Sequence, residues 1–435
     1  MKKITTILCS FLLLTSGAFA LDREHTLKVY NWADYIDEDL ITEFEKWYEQ
    51  QTGEPVKVVY QLFDINEIML SKIEMGHEDF DVVCPSEYII ERMLRADLLL
   101  PIDRNFGDTP DYTINVSPYI IHKFNQIDGS GKNANEYSIG YMWGTVGMLY
   151  NKRFVTEEEA SSWYTLKDPK WAGKLFVKDA FRDVYTSLIV ALNKDKIDAG
   201  EIDIEKICFD ASDASIEQVE NFLNEFKDNV SGWEADFGKE RMTQEKAWLN
   251  LTWSGDAVWA MDEAEAVGVP LDFAVPKEGS IVWFDGWVIP KYAKNIQAAR
   301  YFINFLCMPE NVLRNMDAVG YVSCIGGPEI LEAMVDEEAF EPEDASYFFG
   351  PEATNVSLNP ALYPSQEVIS RCGMMHDSGD RTEALLAMWS RVKGDNANVL
   401  TYVVIAIVIA ALLALVLIRS NGKRKKKYSH HGSRR

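Results

Sequence analysis

The chain has 435 residues, 47% of them apolar, and a formal net charge of −25, a length and composition that suit one or two sizeable cores and exclude a largely disordered chain. Ten of the 43 basic residues stand at the two ends, where Asp and Glu are absent, so the middle carries about −35. That excess disfavours nucleic acid as a partner and suits either a cationic small molecule or an acidic face that merely stays solvated.

In chain order, residues 1–20 combine Lys2 and Lys3, an apolar run from Ile4 to Leu14 and the small-x-small Ala18-Phe19-Ala20. This is the pattern of a secretory signal peptide cleaved after Ala20, with Cys9 inside the apolar run rather than at a lipid-attachment position. Leu27–Trp32 reads as a strand. Leu40, Ile41, Phe44, Trp47 and Tyr48 then recur at helical spacing until Gly53 ends the run. Val56–Tyr60 is a second strand, Asp64-Ile65-Asn66-Glu67 has the form of a capping box opening a helix to about Gly76, and Phe80–Cys84 is a third strand ending at Pro85-Ser86. A β-α-β-α-β order predicts a parallel sheet, and ligands of such sheets gather at the carboxyl ends of the strands. YNWADY (residues 30–35) and Pro85-Ser86-Glu87-Tyr88 both sit at such ends. Further on, 174–177 and 249–253 are predicted strands, 184–192 a helix and 281–290 (IVWFDGWVIP) a strand with an acid at its centre.

From 399 to 418 runs VLTYVVIAIVIAALLALVLI, without a charge, followed by RSNGKRKKK. A helix of that length crosses a bilayer core of about 30 Å, and the basic flank places residues 419–435 in the cytoplasm with the acidic body outside. Residues 387–398 are expected to be a linker. After cleavage five cysteines remain, Cys84, Cys208, Cys307, Cys324 and Cys372, an odd number that leaves at least one free thiol and suggests no redox role.

The recurrent chemical pattern is a carboxylate beside aromatic rings: Asp34 with Trp32 and Tyr35, Asp256 with Trp253, and Asp285 with Trp283, Phe284 and Trp287. An organic ammonium suits such a place, because its charge pairs with the carboxylate while its methylenes lie against ring faces. Each piece alone has an ordinary alternative, since tryptophans fill cores and an aspartate after a strand caps a turn or helix. Paired carboxylates also serve glycoside hydrolysis. However, His25, His77, His122 and His376 fall in no nucleophile, metal or triad pattern, and no glycine-rich phosphate loop occurs. Binding without catalysis is therefore expected.

YNWADYIDEDLITEFEK, VVYQLFDINEIMLSKI, FDVVCPSEYIIERM, YMWGTVGMLYN, VPKEGSIVWFDGWVIP and FINFLCMPENV follow one another in an order that resembles the periplasmic spermidine/putrescine-binding proteins of polyamine ABC transporters, over about residues 25–390. The resemblance implies an α/β, two-lobed type II periplasmic-binding-protein fold with hinge crossings, to which the C-terminal transmembrane helix is added. It implies lobe 1 from 21–140 and 284–329, and lobe 2 from 141–283 and 330–386. Carried over residue by residue, the ligand would meet Trp32, Asp34, Tyr35, Ser86 and Tyr88 from the first lobe. Asp183, Trp253 and Asp256 would come from the second lobe, Trp283 and Asp285 from the hinge region, and Tyr321 from the VGYVS stretch. In the family, rings box the aliphatic chain and acids bind its amines; Asp285 would hold a principal ammonium with Asp183 opposite.

Two features are similar to the putrescine-preferring branch and favour a shorter diamine. One is Ser254-Gly255-Asp256, and the other is the lack of a glutamine in Gly373-Met374-Met375-His376. The family often has glutamate where Asp183 stands, one methylene longer. The implied partners are a polyamine, a permease and, through the C-terminal helix, the membrane. The protein would be a monomer with neither cofactor nor metal. A polyamine-sensing receptor working through a membrane partner, and a site for another amine or an amino acid, are the competing expectations.

Overall fold

A computed structural model describes residues 22–235 and 237–394. The predicted signal peptide, the membrane span 399–418 and the basic tail 419–435 lie outside the described residues. Among those described, no helix is long and apolar enough to cross a membrane.

The first crossovers follow the predicted order: β1 (Thr26–Trp32), α1 (Asp39–Thr52), β2 (Lys57–Phe63), α2 (Asn66–Glu74), β3 (Val82–Val83) and α3 (Glu87–Arg95). Both β2 and β3 pair parallel to β1. α1 buries Leu40, Phe44 and Tyr48, with Phe44 edge-on to Phe302. It stops at Gly53, whose φ of 76° lets its N–H reach back to the Glu49 carbonyl. α2 departs from expectation. Its N-cap is Ile65, with no side-chain capping bond. Asn66 instead donates to Ser86 Oγ and Tyr88 OH, both at 3.0 Å, and Glu67 pairs with Arg182 at 3.2 Å. Glu67, which would have closed a capping box, instead joins Asn66 in linking neighbouring elements. β3 is shorter than the predicted run because Asp81 turns its carboxylate onto the amides of Lys28, Lys294 and Asn295.

The chain then adds β4 (Leu99–Leu100), β5 (Ser138–Asn151), β6 (Leu175–Lys178), β7 (Val230–Glu234), β8 (Leu249–Trp253), β9 (Leu271–Ala274), β10 (Ser280–Pro290) and β11 (Val322–Ser323). The main sheet runs in the order β2-β1-β3-β10-β5-β8-β6-β7. Two strands, β5 and β10, connect the two lobes. The first half of β5 pairs antiparallel with β10, and its second half, from Val146 to Tyr150, pairs with β8. β10 pairs with the strand Cys372–Met374 at its start and with β3 and β4 at its end. Every residue of both strands is buried, as befits strands covered on both faces.

Within residues 330–386, the short helix at 346–349 contacts residues of both expected lobes. The helix Ser346–Phe349 packs on the helix Pro118–Phe124, and Ser117 Oγ donates to the Phe348 carbonyl at 2.7 Å. Phe348 also stacks on Trp143 of β5. The last described helix, Thr382–Lys393, runs on into the expected linker because Met388, Trp389 and Val392 are buried. The five cysteines among the described residues, Cys84, Cys208, Cys307, Cys324 and Cys372, are buried free thiols.

His376 lies buried between Glu91 of α3, 3.1 Å from Nδ1, and Glu205, 3.5 Å from Nε2, with its ring stacked on Phe209. Burial lowers its pKa, but the bonds to Glu205 and Glu91 outweigh this and hold it above the ordinary value. A raised folded-state pKa gives stability that is complete below the unfolded value of about 6.5 and is lost as pH rises through the folded value. His376→Gln should therefore cost about 1.5–3 kcal/mol at pH 5.5 and progressively less at higher pH. Melting temperatures of both proteins across that range check it; a cost that does not shrink with pH would contradict it.

Candidate functional site

Asp285 stands at the centre of β10, where the register with β5 slips between Phe284 and Gly286. A bulge of this kind turns a side chain away from the regular alternation. Its position is fixed across the sheet: Asp285 bridges to Ser86, and the Gly286 N–H donates to the Pro85 carbonyl at 3.0 Å. The carboxylate accepts Tyr35 OH at 2.8 Å and Ser86 Oγ at 2.7 Å. Burial pushes its pKa up to about 7, against the lowering effect of those two bonds and with a further rise from the charge of Asp183. Behind it Glu87 is wholly buried and accepts the Phe284 N–H at 3.0 Å, with its pKa raised chiefly by burial.

The opposite wall is built by helix N-termini. Asp183 lies in the first turn of the helix Phe181–Leu192 and accepts the Trp253 indole N–H at 2.9 Å. Desolvation raises its pKa to about 6. Asp256 lies in the first turn of the helix Ser254–Ala266 and accepts Tyr321 OH at 2.7 Å. The Tyr321 ring meets Tyr35 edge-on at 5.5 Å and Trp283 at 5.6 Å. Gly255 permits that approach, since a Cβ there would stand 2.3 Å from Tyr321 Cδ1. Asp256 is also held by Lys178, whose Nζ is 2.5 Å from Oδ2 and 4.3 Å from the centre of the Trp253 ring. Contacts thus run without a break from Asp285 through Tyr35, Tyr321, Asp256, Lys178 and Trp253 to Asp183.

Tyr88 and Asp34 lie beside this chain of contacts. Tyr88 is anchored by Asn66, and the Arg182 guanidinium sits 4.4 Å above its ring. Trp32 packs on Phe63 at 4.5 Å. Asp34, at φ 49°, is exposed and opens onto a cavity of about 390 Å³ shared with Lys239, Asp256 and Trp259. Trp32 and Trp283 both carry buried indole N–H groups without a partner among the described residues.

Sequence reasoning missed Lys178, Glu87 and Arg182. Lys178 had a legible signal, because it ends a strand at the edge where the acids collect. Among the described residues no group of His, Cys, Asp and Glu is placed to hold a metal. Among the described residues, Asp285 and Asp183 form no salt bridge to a lysine or arginine. Two desolvated carboxylates beside tyrosine and tryptophan side chains can pair with an ammonium group.

Residues 39–327 match the model of a family described as bacterial extracellular solute-binding proteins. The spermidine/putrescine-binding periplasmic protein of Escherichia coli K12 is 27% identical over 396 residues, covering 88% of this chain and 97% of that one. The putrescine-binding periplasmic protein PotF of the same organism is 28% identical, covering 90% and 98%. The structure of the spermidine/putrescine ABC transporter substrate-binding protein PotD from Streptococcus pneumoniae superposes with a TM-score of 0.61 at 28% identity, covering 85% of this chain and 99% of that one. These relatives are binding proteins, not enzymes. With well over half of its length matched by the family model, the chain belongs to the bacterial extracellular solute-binding protein family.

Proposed function

We propose that this protein captures a polyamine outside the cytoplasm, putrescine in preference to spermidine, and delivers it to an ABC transporter permease. The observation that carries the reading is the pair Asp285 and Asp183, desolvated, ring-lined and without a salt bridge to any described lysine or arginine. Ligand contacts are assigned to Trp32, Asp34, Tyr35, Ser86, Tyr88, Asp183, Trp253, Trp283, Asp285 and Tyr321, whereas Asp256, expected among them, is already paired with Lys178. A protonated diamine would set one ammonium against Asp285 and the other toward Asp183, with its methylenes against the rings. Charged hydrogen bonds contribute about 1.5–3 kcal/mol each, enough for micromolar affinity after ordering losses. Closure of the lobes on the ligand would present the loaded form to the permease. The uncharged run 399–418 with its basic flank supports a tether to the membrane, which would raise the local concentration beside that permease.

Calorimetric titration with putrescine, cadaverine and spermidine tests the reading. Micromolar binding of the diamines is expected, and heats no larger than dilution for all three would overturn it. In the same assay Gly255→Ala should weaken putrescine binding by about 1–3 kcal/mol, because the new methyl displaces Tyr321 from Asp256. Unchanged affinity in that variant would remove Tyr321 from the site.

A further inference from the structure

The acidic cleft holds a cation that belongs to the chain itself. Lys178, at the end of β6, is 2% exposed. Its ammonium lies 2.5 Å from Asp256 Oδ2, 3.7 Å from Glu234 Oε1 and 4.3 Å from the Trp253 ring centre. A carboxylate on one side and an indole face on the other is the surrounding that suits a ligand ammonium. Here that place is filled from within.

Lys178 has little freedom to give it up. Asp256 is 5% exposed and Glu234 is fully buried, so an outward swing would leave two buried carboxylates to be compensated. Tyr321 closes the other side of Asp256.

We propose that Lys178 is a fixed internal ammonium that occupies the Asp256 end of the cleft and makes the site selective for diamines over triamines. This rests on the polyamine reading and assigns its selectivity to one residue. With Asp256 satisfied, the anionic positions left to a ligand are Asp285 and Asp183, which match two ammonium groups. A third ammonium extending toward Trp253 would meet the like charge of Lys178. Selectivity of this kind comes from a repulsive group as much as from an attractive one.

The test compares putrescine and spermidine affinities by calorimetry in wild type, Lys178→Met and Lys178→Met/Asp256→Asn. Lys178→Met removes the nearer of the two ammonium groups at Asp256, leaving Lys239 at 3.9 Å from Oδ1, and should raise the spermidine-to-putrescine affinity ratio by about tenfold to a hundredfold, the worth of one charged hydrogen bond. The double variant should return the ratio toward that of wild type. If Lys178→Met alone does not fold, Lys178→Met/Glu234→Gln removes the lysine together with one of its two acids and should show the same rise. Lys178→Arg, which keeps the charge, should keep the wild-type ratio. An unchanged ratio in a folded lysine-free variant overturns the assignment while leaving the polyamine reading intact. Binding of neither amine by wild type and every variant overturns the polyamine reading and this inference together.

Discussion

Asp285→Asn should weaken putrescine binding by about 10²–10³-fold while leaving the unliganded protein at least as stable as wild type at pH 8. Removing one member of a buried charge pair costs about 2–5 kcal/mol or more, much of it from leaving the other charge unmatched. The amide has nearly the shape of the carboxylate and still accepts from Tyr35 or Ser86, so the cleft is preserved. The stability effect has the opposite sign. Burial raises the Asp285 pKa to about 7, well above the unfolded value of about 3.9. The folded state therefore holds the proton more tightly, and stability is lost as pH rises through that window. A neutral amide is spared this loss. Calorimetry for affinity and thermal melts for stability separate the two effects. A variant that binds as wild type does, or that loses binding only by unfolding, would contradict the role given to Asp285.

Why some of this was legible in the sequence and some was not follows from how each residue is placed. Trp32, Asp34 and Asp256 could be found because predicted strands end there and polar residues following an apolar run mark such an end, and Asp285 because it is a carboxylate among aromatic rings inside a strand. The bulge at Asp285 could not. The alternation through IVWFDGWVIP is broken only by pairing with β5, a contact distant in sequence. β5 itself hides the hinge. All its residues are buried, so period two is absent and nothing in SIGYMWGTVGMLYN marks where one lobe's partner strand gives way to the other's. The predicted boundary after residue 140 falls inside this strand. The capping-box pattern at Asp64–Glu67 was misleading for a related reason. Asn66 and Glu67 reach better partners in Ser86, Tyr88 and Arg182 than the helix N-terminus offers them. Lys178 ends its strand among the acids, and its pairing with Asp256 and Glu234 depends on neighbours distant in sequence, which no local pattern marks.

Acidification should release the ligand. A diamine keeps both its protons between pH 8 and pH 5, as a lysine side chain does, so any change in affinity across that range belongs to the protein. Pairing with ammonium groups requires both Asp285 and Asp183 ionised, yet without a bound cation their pKa values stand at about 7 and about 6. Desolvation is the first cause for each, and the charge of Asp183 adds to the rise at Asp285. The two therefore titrate as a pair. Below pH 7 each unit of acidification should cost about tenfold in affinity, and below pH 6 more steeply, reaching about 10³-fold between pH 8 and pH 5. At pH 6.5 binding should release protons, visible as a dependence of the apparent enthalpy on the buffer's own ionisation heat. The thermal shift produced by a fixed excess of putrescine should grow with pH for the same reason, as the ligand offsets the charge that otherwise destabilises the folded state. In Asp285→Asn the upper step should vanish and the weaker one at Asp183 remain. A flat affinity profile from pH 5 to pH 8 would mean that the cation is held elsewhere than between these two carboxylates.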